Sequence, residues 1–289
     1  MKPSFYKFVA LLLPFLFHHP LEAQLEKSLL WEISGNGLAK PSYLYGTMHV
    51  GDKRAHDFSD STMIAFKSTR AYAGELNMAE VDQAALLNMM KLPAGQKLHT
   101  LFTDEEWESL VNYCQSKMHV NPNDFDDFNI FFIYSLIAQG QFKNQMGQAV
   151  DMYFYNEAKK SQKKLLGLEK PEEQIAAINS MKTDDQKKMV LDAVNGKNGN
   201  SGKELKKMLK YYGKGDLEGL LSFSKDAEFS SEFETNLVTH RNHNMAERME
   251  PIMKEQSTFV AVGALHLPGE EGVINLLRQA GYKVRAVKG

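Results

Sequence analysis

The chain has 289 residues, 24% of them charged, with a formal net charge of −2 and a single cysteine. That balance excludes the basic footprint of a nucleic-acid binder or a polybasic membrane patch, and one cysteine excludes an internal disulfide. The length suits one core with an inserted subdomain.

The N-terminus reads as an export signal. Lys2 and Lys7 flank the start of an apolar run, 8–17, interrupted only by Pro14, and a short stretch then ends at the small residue Ala23. A basic, then apolar, then small-residue pattern predicts cleavage after Ala23. The run falls short of the roughly 20 apolar residues of a membrane span. The mature chain, 24–289, is therefore expected as one domain that is secreted, or periplasmic in a cell envelope, with no stable span of its own. Its lack of disulfides points weakly to a bacterial envelope.

Downstream, 29–33 and 42–45 are short apolar and aromatic runs separated by Gly35, Asn36, Gly37 and Pro41, which predicts a β-hairpin. A helix is expected over 60–68 and a strand over 70–76, closed by Glu75. The middle is helical: 79–91 carries a Leu/Met stripe, Thr103 and Glu106 form a capping box, and 125–139 is too apolar to be solvated all round. Cys114 falls on an amphipathic stretch and reads as a buried small hydrophobe. Further helices are expected over 150–160, 171–181, 184–194, 203–212 and 217–223, with a short strand over 164–168 ahead of Glu169. The glycine- and asparagine-rich 195–202 reads as an exposed loop. One long helix is expected over 231–256, kinked at Pro251, then strand 259–264, helix 270–280 and strand 282–287. Strands at both ends with helices between predict an α/β fold. Its central mixed sheet is formed by N- and C-terminal strands with flanking helices, and a helical insertion spans about 78–144.

One pattern occurs twice. Tyr45-Gly46-Thr47-Met48-His49-Val50-Gly51-Asp52 and Val262-Gly263-Ala264-Leu265-His266-Leu267-Pro268-Gly269-Glu270 each read strand, Gly, two residues, His, apolar residue, then a glycine and an acid. The glycine allows close backbone approach where the strand ends. Each histidine would then project at the edge where open α/β sheets bind ligands. If the strands ending at His49, Glu75, Glu169 and His266 are parallel neighbours, two imidazoles and two carboxylates share one rim. Such a set suits a divalent transition metal with open positions for water. Against this stand plainer readings: structural histidines after strands, a solvated acid at Glu75, and a charge run or helix-start decoration at Glu169. Arg241, in His240-Arg241-Asn242-His243, could hold a carboxylate or a developing oxyanion with its fork of donors, or pair at the surface with Glu234 or Glu247. His240, His243, His56, His99 and His119 read as bystanders.

These segments resemble the TraB/GumN (Tiki-like, TraB/PrgY) family. The resemblance rests on Leu30-Trp31-Glu32-Ile33, the two Gly-x-x-His strands, Glu75-Leu76-Asn77 and Asp151-Met152-Tyr153-Phe154. It also rests on Gly167-Leu168-Glu169 with Glu173-Gln174, Tyr212-x-x-Gly215-Asp216 and Arg241-Asn242, and it runs from about 29 to 287. Asn77 stands where an acid is more usual and Ala149 where a glycine is. The resemblance implies a fold like that of the ChaN and erythromycin-esterase groups. It also implies metal-dependent peptide cleavage at a site holding His49, His266, Glu75 and Arg241. The leading expectation is thus a secreted hydrolase acting on peptide or amide bonds, with peptide or small-molecule substrates. His49, His266 and Glu75 would be ligands of a Mn-, Co- or Zn-class ion, and Glu75, Arg241 and Glu169 would be candidate catalytic groups. The alternative is a non-catalytic envelope binder of metal, haem or a signalling peptide, built on the same two histidines.

Overall fold

In a computed structural model the protein is described over residues 25–142, 148–196, 202–225 and 235–288. The expected signal at 1–23, most of the 195–202 loop and the start of the expected 231–256 helix lie outside these residues.

The sheet begins with the hairpin. β1 (Leu30–Ser34) and β2 (Ser42–Thr47) pair antiparallel from Leu30↔Tyr45 to Ile33↔Ser42. Their connection turns through Gly35, Asn36 and Gly37, all at positive φ (79°, 46° and 82°), backbone that two glycines and an asparagine adopt at low cost. α1 (Asp60–Ser68) starts at the N-cap Ser59, whose hydroxyl accepts from the Thr62 N–H. β3 (Ala71–Gly74) follows.

Next come α2 (Gln83–Met89), α3 (Asp104–Tyr113), α4 (Ile130–Phe142), α5 (Val150–Lys160), β4 (Lys164–Gly167), α6 (Pro171–Asn179), α7 (Thr183–Val194), α8 (Gly202–Tyr212) and α9 (Leu217–Lys225). The last segment holds α10 (His240–Glu255), β5 (Thr258–Gly263), α11 (Val273–Gln279) and β6 (Lys283–Ala286). α2 starts later than its Leu/Met stripe suggests, because Asn77 Oδ1 accepts from the Ala79 N–H and holds a turn there, leaving Asp82 to cap the helix. The expected kink at Pro251 is absent: α10 runs through it to Glu255, held down by the buried Met245, Met249 and Met253. Ahead of α10 the chain is π-helical over Thr235–Thr239.

The six strands form one mixed sheet in the order β4-β3-β5-β2-β1-β6. β4, β3, β5 and β2 are parallel neighbours, while β1 and β6 extend the sheet antiparallel. β3 is buried along its whole length and β5 along all but its last residue, as expected for central parallel strands covered on both faces. On one face Tyr45 and Phe259 meet Phe66 of α1 and Phe154 of α5 in ring contacts of 5.1–5.5 Å. Such pairs are worth about 0.5–1.5 kcal/mol each beyond their area. A second, separate core of Leu98, Leu110, Cys114, Ile130, Ile133 and Ile137 also takes in Val190 and Ala193 of α7. Cys114 is buried there as a free thiol, its pKa pushed up to about 11 by burial.

Candidate functional site

Four parallel strands end at one edge, and each delivers a side chain within two or three residues. Glu75 follows β3 directly. Glu169 lies two residues past β4, and the ladder runs on beyond both strands: Leu168 N–H donates to Gly74 O (2.9 Å) and Glu169 N–H to Glu75 O (2.7 Å). That continuation sets the two glutamates side by side. His49 lies two residues past β2, and His266 closes a 3₁₀ turn (Ala264–His266) after β5.

The glycines of the doubled motif serve close approach. A Cβ on Gly46 would stand 3.1 Å from Ala264 Cα, and one on Gly263 would stand 3.3 Å from Glu75 Oε1. Gly263 N–H donates to that same oxygen at 2.7 Å. Tyr212, of the aromatic-x-x-Gly-Asp element, donates its hydroxyl to Gly46 O at 2.8 Å and so pins the end of β2 from α8.

α10 supplies the basic partner. Arg241 donates through Nε and Nη2 to both oxygens of Glu169 (2.7 Å each) and through Nη2 to Glu75 Oε2 (2.8 Å), with Nη1 on Leu237 O (3.1 Å). Gln174 of α6 donates to Glu75 Oε2 and Glu169 Oε2 at 3.1 and 3.0 Å. The alternative surface partner Glu247 is therefore not among the partners of Arg241, and Glu234 lies outside the described residues. Glu169 is no solvated charge either, since its side chain is 1% exposed. Seven residues on, along the same helix, Arg248 holds the Leu168 carbonyl and the Glu173 carboxylate.

His266 is buried. Its Nδ1 lies 2.6 Å from Asn242 Oδ1 and its Nε2 3.9 Å from Glu75 Oε1. His49 is exposed, with Nδ1 3.2 Å from Asp151 Oδ1. That contact is within ion-pair range but off the hydrogen-bond angle, so the buried Asp151 Oδ1 has no hydrogen-bond partner; Thr47 Oγ1 is orphaned in the same way. Asp151 sits in the first turn of α5, which is tied to the end of β2 by Val150 N–H to Met48 O (3.2 Å). Ala149 is the N-cap of α5, at φ −62° and ψ 155°, a conformation that needs no glycine. A cleft of about 120 Å³ opens between these groups, lined by Thr47, His49, Tyr72, Glu75, Asp151 and Gln174 among others.

The electrostatics follow from the pairings. Burial alone would raise the Glu75 pKa, but His266, His49, Arg241 and the Gly263 N–H together bring it down to about 2. These partners favour the carboxylate form and make it a weak proton acceptor. The Asp151 carboxylate draws His49 up to about 9, with help from Glu75. Burial pushes His266 down, and the Arg241 and His49 charges add to that against the pull of Glu75.

By donor chemistry the residues fit a divalent cation: one cleft holds the His49 imidazole, the Glu75 carboxylate and orphaned oxygens on Asp151 and Thr47, with the His266 imidazole beside Glu75. Nε2 of His266 and Oε1 of Glu75, at 3.9 Å, stand closer than two metal–ligand bonds of about 2 Å laid end to end. Among the described residues no three His, Cys, Asp or Glu side chains already stand as a cage. His243 pairs with Glu271 and His99 with Asp126.

Gln174 and Asn242 were visible in the sequence only as members of the resembling blocks. Asn242 follows Arg241 directly, and Gln174 sits one helical turn inside α6 after Pro171; nothing in their spacing indicated contact with Glu75 or His266. Asp151 carried one local signal, an acid in a helix's first turn.

A family model described as TraB/PrgY/gumN family matches residues 29–286. Among curated relatives, metalloprotease TIKI2 of Xenopus tropicalis is 24% identical over 89% of this chain and 59% of its own length. Metalloprotease TIKI1 of Danio rerio is 24% identical over 89% of this chain and 62% of its own. Metalloprotease TIKI1 of Homo sapiens is 22% identical over 92% of this chain and 63% of its own. The chain thus spans about three fifths of the length of these relatives. No solved structure matches it. No helix among the described residues is long and apolar enough to cross a membrane.

Proposed function

Since the chain belongs to the TraB/PrgY/gumN family, we propose that it is an exported, metal-dependent hydrolase of peptide or amide bonds, working at the rim where β2, β3, β4 and β5 end. The observation that carries this reading is that His49, Glu75 and Asp151 line one cleft at the C-terminal edge of parallel strands, with Arg241 and His266 set against Glu75. His49, His266 and Glu75 would hold a divalent ion of the manganese, cobalt or zinc class. When bound, such an ion supplies a Lewis acid for a carbonyl and lowers the pKa of water.

The chain's own residues divide the remaining work. Glu75 stays ionised and is held at both oxygens, so it acts as charge and ligand. Arg241 has four of the five N–H groups of a guanidinium committed, to Glu169, Glu75 and Leu237. It is foremost a clamp that sets the spacing of the two carboxylates, with one Nη1–H left for a developing oxyanion. Glu169, with both oxygens on Arg241, anchors that clamp rather than reacting. Asp151 holds His49 at the cleft. Tyr72, Tyr155, Leu76 and Met152 narrow the cleft and restrict water.

The test is cleavage of a peptide library by the purified mature protein with manganese, cobalt or zinc, and with a chelator. Metal-dependent cuts that vanish in His266→Ala support the reading. Stoichiometric metal without turnover on any peptide overturns it in favour of the non-catalytic binder. One observation favours that second reading: Arg241 already compensates both glutamates. Export is tested separately. Mass spectrometry of the envelope or secreted fraction should find an N-terminus at Gln24, whereas an intact Met1 there would refute it.

A further inference from the structure

We propose that Asn242 is a positioning residue that locks His266 as the Nδ1–H tautomer and so presents a bare Nε2 lone pair toward Glu75. The argument begins with the amide, which is 1% exposed and cannot turn to water. Its Nδ2 lies 2.7 Å from the Glu271 carbonyl. A carbonyl only accepts, so the amide must face it with its N–H₂ end. That orientation leaves Oδ1, an acceptor, 2.6 Å from His266 Nδ1. Nδ1 must therefore carry a proton.

The other ring nitrogen has no acceptor within hydrogen-bond reach on the Glu75 side, since Oε1 is 3.9 Å away and already receives the Gly263 N–H. In the neutral ring the second nitrogen carries the lone pair. Asn242 thus links three elements. α10 carries it, the turn after β5 presents His266, and the loop before α11 supplies the Glu271 carbonyl that sets the amide's direction. This is the arrangement by which an outer partner fixes a ligating imidazole and its tautomer. The tautomer assignment stands on the hydrogen bonds alone; its use toward a metal rests on the function proposed above.

The experiment is ¹⁵N NMR of the imidazoles in the metal-free protein above neutral pH, with the His266 signals assigned by their loss in His266→Gln. Wild type should show a protonated Nδ1 and an unprotonated Nε2. Asn242→Asp keeps an acceptor toward Nδ1 and should keep that tautomer. Asn242→Leu removes the acceptor and should give a mixture or the Nε2–H form. Calorimetric titration with Zn²⁺ alone should find the Leu variant weaker by about 10- to 100-fold and the Asp variant much less affected. A purely structural role for Asn242 would lower the thermal midpoint of both variants and leave both tautomers alone, which overturns the proposal. An Nε2–H ring in the wild type also overturns it. If Asn242→Leu does not fold, the wild-type and Asp spectra decide. If zinc does not bind the wild type, the metal reading falls, and the NMR result still decides the tautomer.

Discussion

Glu75 has all of its near neighbours on other elements: Gly263 of β5, Gln174 of α6 and Arg241 of α10 share its two oxygens. Removing one partner of such a network leaves charge without compensation. Arg241→Met should therefore be destabilising by about 3–5 kcal/mol, measured by urea unfolding, because Glu169 would stay buried and unpaired. Arg241→Lys should fold, yet slow any turnover on the order of 10²-fold, since a point charge cannot span both carboxylates and the cleft would shift. For the histidines the expectation concerns additivity. If His49 and His266 serve one ion, each alanine variant should lose metal and activity together, and the double variant should be little worse than either single. Folded His→Ala proteins that keep stoichiometric metal would place the ion elsewhere.

Among the elements, what was legible in the sequence was whatever is encoded locally. The helix over 60–68 appears at those bounds because Ser59 caps it, and Thr103 with Glu106 forms the expected capping box; the helix over 150–160 also appears at its bounds, without a capping side chain at Ala149. The doubled Gly-x-x-His motif located two strand ends, and the pairing of strands from both chain ends followed from their positions. The Arg241–Glu169 pair was not legible, because its partners are 72 residues apart and meet only once α10 crosses the rim. The same holds for Gln174 on Glu75, 99 residues away. Arg248 adds an element-scale prediction about pH. Its bidentate contact, more than the backbone N–H of Lys170, brings Glu173 down from 4.5 to about 2 against the opposing effect of partial burial. A depressed carboxyl pKa contributes stability above the unfolded value, and that contribution is lost as pH falls from about 4.5 toward 2. Glu173→Gln should thus lower the urea midpoint at pH 7 and converge with wild type near pH 2. A constant difference across that window would mean the ion pair is not what ties the β4–α6 turn to α10.

At the scale of the whole molecule, two separate apolar clusters coexist, one around the sheet and one among the helices of 98–137 with α7. Leu110→Ala, at a fully buried position of the second cluster, should cost about 2–5 kcal/mol. Hydrogen exchange should then quicken in 98–137 and 190–193 and leave β2, β3 and β5 protected; uniform loss of protection would show one cooperative unit instead. The strand order has a different consequence, for the timing of assembly. β5, next to last in the chain, lies between β3 and β2, and its partner Tyr45 is paired with Ala261. A ribosome must therefore deliver more than nine tenths of the polypeptide before the sheet can close. Until then β2 and β3 have no shared neighbour, and the rim with its two histidines does not exist. A chain built this way keeps its sheet open through nearly all of its synthesis, and a premature stop before residue 258 would leave no assembled rim.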